Sequence, residues 1–253
     1  MRMTMLRGAA ATVLAVAVAL PGTARPAQAD WIDDATKVIN FANSAFSLIK
    51  NLVGGGMSIE AATQQILASI TEARGAILTQ LDRLAAAEAR ACATAAVIEF
   101  ADIEHFTTDV LQGFAQEATR CVTTVDSLLG VVTDKGATDV LGFALNTVGP
   151  VAQVARARAG FGTAALNPVL AHGNTTLIPK IITDSDCWPE VEVDDNPRHV
   201  YPTYLRCRAY NGEVGEEFRI MAIVPKYNYA TAMDRATVHT SRAIAKAVLP
   251  LLQ

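Results

Sequence analysis

The side chains best suited to move protons or hold a metal near neutral pH are four histidines, His105, His172, His199 and His239. They are scattered, and no pair has the H-x-x-x-H or H-E-x-x-H spacing that sets two ligands on one helix face. There is no G-x-S-x-G turn to present a serine nucleophile. Asp184, Asp186, Glu190, Glu192, Asp194 and Asp195 form an acidic run around Cys187. Several carboxylates could hold calcium, but the EF-hand spacing and its glycine are missing, so a solvated acidic loop is the preferred reading. The residues predict no enzyme, no metal and no cofactor.

The pattern that stands out is one of recognition. All five tyrosines lie between Tyr201 and Tyr229, with Trp188 and Phe218 nearby and Arg198, Arg206, Arg208 and Arg219 interleaved. Tyr, Trp and Arg dominate binding hot spots because each joins a large contact area to a polar handle. On a strand over 203–210, Tyr204, Arg206, Arg208 and Tyr210 share one face, while Leu205, Cys207 and Ala209 share the other. If the aliphatic face is buried, the Tyr/Arg face is free for a partner; the competing reading is that a small β-element uses its aromatics as its own core. Trp188, Tyr201, Tyr204, Arg206, Arg208 and Tyr210 are the candidate partner-binding residues.

Four cysteines, Cys92, Cys121, Cys187 and Cys207, have no C-x-x-C spacing, which leaves zinc and thioredoxin-type chemistry without support. An even, small number suits two disulfides in an oxidising compartment. Three pairings are open from sequence. Export is expected independently: Arg2 and Arg7 precede an uncharged run from Ala9 to Leu20, Pro21-Gly22 breaks it, and Ala27-Gln28-Ala29 offers small residues for cleavage after Ala29. That run is shorter than the roughly 20 residues of a membrane span. The Ala- and Arg-rich composition of the signal region as a whole suggests a bacterial exporter. The chain has 21 basic and 25 acidic residues; loss of Arg2, Arg7 and Arg25 leaves 18 against 25, a net charge of −7. Such a balance has no general attraction for phosphate backbones, so nucleic acid is not an expected partner.

The elements that must position these residues change character near residue 172. Residues 30–171 predict an antiparallel helical bundle with a coiled-coil-like seam, and 172–253 a small disulfide-stapled α+β module with a β-hairpin and a C-terminal helix; the fold class is mainly α. Helix one runs over 31–52 and ends at Gly54-Gly55-Gly56. Helix two starts at the N-cap Ser58 and carries Ile66, Ile70, Ile77, Leu81 and Leu84 at steps of three and four. Its stripe continues through Cys92, Ala96, Phe100 and Ile103, so a single long helix is one reading. Were that helix to run unbroken to Cys121, the 29 residues from Cys92 would span about 43 Å. A disulfide needs Cα atoms about 4.4–6.8 Å apart. The favoured reading is therefore a hairpin turning at Phe106–Thr107, with Cys92 bonded to Cys121.

Further along, 138–147 and 151–159 predict two short buried helices broken at Gly149-Pro150. Asn211-Gly212 is a hairpin signal between strands over 203–210 and 213–224. Phe218 and Ile220 read as one face of the second strand. Cys187 and Cys207 tie the preceding loop to the first, and 230–249 closes the chain as one helix. Asn174-Thr175-Thr176 matches the glycosylation sequon but has no meaning in a bacterial exporter.

Three functions compete. The preferred one is a secreted, non-enzymatic interaction or scaffold protein that binds another protein through its Tyr/Arg-rich module, as a subunit of a secreted, toxin-like assembly. A membrane-active helical pore-forming toxin is the second, motivated by the nearly uncharged stretch 140–155. A secreted hydrolase whose site is assembled from distant residues is the third.

Overall fold

The computed structural model describes residues 27–191, 202–220 and 227–252. The proposed leader, apart from the first helical turn at Ala27, and Tyr201, His199 and the acids beyond Glu190 lie outside the described residues. Among the described residues eight α-helices and a three-stranded antiparallel sheet follow in the order α1 (Ala27–Val53), α2 (Ile59–Asp82), α3 (Ala87–Phe100), α4 (Thr108–Val131), α5 (Lys135–Arg158), α6 (Asn167–Ile181), β1 (Cys187–Val191), β2 (Pro202–Arg208), β3 (Val214–Ile220), α7 (Tyr229–Ala236) and α8 (Ser241–Val248). The fold is mainly α with a small β module.

The bundle forms around α5. Every residue from Thr138 to Ala155 is buried, and α1, α2, α3, α4, α6 and α8 all pack against it. This corrects the expected break at Gly149-Pro150. A proline inside a helix costs about 3 kcal/mol for its missing N–H and ring clash. Burying Val148, Val151 and Val154 completely contributes roughly 1.5–3 kcal/mol each, which outweighs it. Gly149 is required for another reason: a Cβ there would lie 2.7 Å from a methyl of Leu170. The uncharged stretch 140–155 is thus the axis of the bundle core. Among the described residues no helix is long and apolar enough to cross a membrane.

Helix two divides. The Ser58 side chain caps α2 by accepting from the Ala61 N–H at 3.2 Å, and the chain turns at Arg83–Ala86 before α3. A continuous 59–100 helix would extend about 63 Å, whereas the 24-residue α4 and α5 offer only about 36 Å of core to cover. Folding back at Leu84, itself buried, keeps the apolar stripe in contact. The next reversal falls where expected: Thr107 accepts from the Val110 N–H to cap α4, and Cys92 bonds to Cys121 with Cα atoms 5.5 Å apart.

The composition change at residue 172 lies inside α6, and Leu170, Leu177, Ile181, Ile244, Ala245 and Val248 all belong to the bundle core. A second, smaller core holds Ile182, Leu205, Cys207, Ala209, Ala232, Met233 and Ala236. The closing helix is two helices. Met233 and Ala236 on α7 face the sheet, while Ile244 and Val248 on α8 face the bundle, and one straight helix cannot serve both cores. Val238 between them is exposed.

Candidate partner-binding face

Strand β2 is central in the sheet, paired with β1 and β3. Gly212, at φ 90°, turns the β2–β3 hairpin in the left-handed conformation that glycine adopts without steric cost. The segment expected as a loop before the hairpin is a strand: Cys187 opens β1 directly opposite Cys207, and the two form the second disulfide. Leu205, Cys207 and Ala209 are buried, under α7. Gly215 permits the helix to seat closely, since a Cβ there would lie 2.1 Å from the Ala232 carbonyl oxygen.

The opposite face follows from the register. Trp188 stands across from Arg206 and Glu190 across from Tyr204; Tyr204 faces Phe218, Arg206 faces Glu216 and Arg208 faces Val214. Residues directly opposite on antiparallel strands share a face. Phe218, expected to point with the apolar side of its strand, is on this outer face and 52% exposed; the inner positions of β3 go to Gly215 and Glu217 instead. Glu217 is buried and accepts from the Asn228 N–H.

The outer face is a ladder of rings and guanidinium groups. The Arg208 guanidinium lies over Trp188, 5.5 Å from its ring centroid, and that of Arg206 lies 5.5 Å from the Tyr204 centroid. The Tyr204 and Phe218 rings are 5.5 Å apart and tilted by 53°. Arg206 is clamped between carboxylates, 2.5 Å from Glu190 and 2.8 Å from Glu216. Desolvation works against its charge, and the two carboxylates more than restore it. Arg208 has no acid beside it among the described residues.

Tyr210 belongs elsewhere. Its hydroxyl donates to Asp139 Oδ2 at 2.6 Å, and Asp139 Oδ1 accepts from both the backbone N–H and the hydroxyl of Ser241, each at 2.7 Å. This buried carboxylate joins α5, the hairpin end and the start of α8. Burial pushes its pKa up to about 6 against the hydrogen bonds from Tyr210 and Ser241, and burial with the adjacent carboxylate pushes the Tyr210 hydroxyl up as well. Sequence reasoning missed Asp139, since an isolated aspartate among apolar residues has no signature of its own. A second tie crosses the same boundary: Lys135 donates to Asp186. Partial desolvation raises the Asp186 pKa, but the bonds from Lys135 and Thr183 outweigh it and hold the carboxyl below the usual range.

Among the described residues the histidine contacts lie apart from one another. His172 bonds Asp126 at 2.8 Å and His239 bonds Glu213 at 2.7 Å, on different elements. Ser47 and Lys50 stand at S-x-x-K spacing on α1, yet Ser47 donates back to the Asn43 carbonyl and Lys50 reaches toward that of Pro250. Among the described residues no three His, Cys, Asp or Glu side chains converge to hold a metal ion. Asn174 of the sequon is fully buried and accepts from Asn146. No protein-family model, curated protein or solved structure matches the chain.

Proposed function

We propose that this is an exported, non-catalytic binding protein, a subunit of a secreted assembly, in which the helical bundle supports a recognition surface on the outer face of the sheet. The observation that carries the reading is the inequality of the two faces. One is sealed by α7, while the other displays Trp188, Tyr204, Phe218 and Arg208 with Phe218 52% exposed. An exposed ring beside two half-buried ones, and a guanidinium with no acid beside it among the described residues, is the kind of surface binding hot spots use. Two disulfides support an oxidising destination.

The test is capture of a partner from the medium of producing cells by the full chain and by Phe218→Ala combined with Arg208→Ala. Both side chains project from the fold, so circular dichroism and melting should be unchanged. Specific capture should fall by about tenfold or more. Undiminished capture by a folded double variant would refute the assignment of this face.

A further inference from the structure

The α3–α4 hairpin carries a second, unrelated surface. Its outer side is a groove made of two adjoining hollows of about 280 and 300 Å³ that share Cys92 and Glu117. The first has apolar walls, chiefly Ala95, Ala96, Phe106, Val110 and Phe114, with Phe106 and Phe114 packed edge to face at 5.5 Å. Val110 is 51% exposed at its lip. Both hollows lie at or just below the lower end of the range that suits a drug-sized molecule, about 300–1,000 Å³, and each has room for a side chain. Together they follow α4 from Val110 to Thr124, about 21 Å or four helical turns.

Acids outnumber bases along the groove. Glu99 and Glu117 border the first hollow and Glu88 and Glu117 the second. The one cation lining either, Arg120, is engaged by Glu117. On its other side α3 packs against α5 and α2, so one more helix seated on α3 and α4 would complete their packing in the way bundle helices interdigitate.

We infer that this groove receives an amphipathic helix of a partner protein, its apolar residues at i, i+3 and i+7 entering the hollows and its flanking lysines or arginines facing Glu88, Glu99 and Glu117. This is helix-in-groove recognition with charge setting the register. It does not depend on the sheet face, which lies on other elements.

The probe is a fluorescent helical peptide of about four turns, with leucines at i, i+3 and i+7 and lysines on both flanks, beside a twin carrying glutamates for the lysines. Binding to the oxidised full chain is read by anisotropy at low and high salt. The lysine peptide should bind, more weakly as salt rises, and the glutamate twin should not. Ala95→Trp, at an exposed position that needs no core rearrangement, should block the slot and weaken binding by about tenfold or more. Glu99→Lys with Glu117→Lys should reverse the order of the two peptides. Failure of the lysine peptide to bind, equal binding of both, or indifference to Ala95→Trp would each overturn the assignment. A sheet-face variant, Phe218→Ala, should bind the peptide as the parent does, so the two surfaces are judged separately.

Discussion

The buried carboxylate of Asp139 should make this protein less stable at neutral pH than in mild acid, and one substitution should remove the effect. Asp139 is 1% exposed, and burial moves its pKa from 3.8 to about 6. At about 1.36 kcal/mol per unit this amounts to about 3 kcal/mol. Because the folded value is the higher one, the fold favours the neutral acid. That contribution is whole below pH 3.8 and is lost as pH rises through 6. Most of it falls between pH 4 and pH 7.5. The surrounding charges do not cancel it: Arg83 attracts only at a distance, Lys135 is taken by Asp186, and Arg242 by Asp234. Asp139→Asn keeps an acceptor for Ser241 and a polar partner for Tyr210 but cannot ionise. Urea unfolding of the oxidised parent and the variant, followed by circular dichroism at pH 4 and 7.5, should show the variant gaining about 2–3 kcal/mol on the parent between the two, roughly 4–12 °C in melting temperature for a chain of this size. Asp186 and Asp234, whose pKa values are lowered, stabilise above pH 3.8 and lose that effect in acid, equally in both proteins. Parallel pH profiles for parent and variant would refute the reasoning.

Two further predictions test the packing. Cys92→Ser with Cys121→Ser opens a loop of 29 residues, which the chain-entropy relation values at about 3.5 kcal/mol; the unfolding free energy extrapolated from urea should fall by that amount, and a change under about 1 kcal/mol would show that α3 and α4 are held by packing alone. Two glycines on helices should respond with opposite sign. A Cβ at Gly142 would lie 2.2 Å from Ser241 Oγ, so Gly142→Ala should destabilise by about 1–3 kcal/mol. At Gly75 it would meet nothing within 4 Å, so Gly75→Ala should stabilise by about 0.5–1 kcal/mol. Thermal melts that order the two the other way would contradict the close approach of α5 and α8.

What was legible in the sequence were features fixed locally. Gly54-Gly55-Gly56 ended α1, Ser58 and Thr107 capped their helices, Asn211-Gly212 marked the hairpin, and the period-two alternation of 204–210 sorted the two faces of β2. Cys92 and Cys121 could be paired because a bond between them demanded a turn that Thr107 was ready to start. What was not legible depended on tertiary partners. Pro150 remains helical because six helices surround it, and no local rule carries that information. The break after Asp82 answers to the length of the helices it packs on. Phe218 faces out because α7 needs Gly215 on the inner side of β3, and once Gly215 points inward, parity puts residue 218 outside. Of the proposed face, Trp188, Tyr204, Arg206 and Arg208 come together, whereas Tyr210 is spent on Asp139.

The positions of the two disulfides bear on why both surfaces can exist. An element that leaves apolar side chains in water forgoes the burial that would otherwise hold it, and a three-stranded sheet covered on one side only, or a 14-residue helix seated on its inner side alone, is marginal by itself. Cys92 lies in the wall of the α3–α4 groove, and Cys187 joins the edge strand that carries Trp188 to the strand that carries Arg206 and Arg208. Each cross-link is therefore placed where non-covalent burial has been given up. A covalent tie stabilises without occupying the outer surface, chiefly by restricting the unfolded chain. Covering the same surfaces with further protein would also stabilise them, but would remove the two faces proposed for binding.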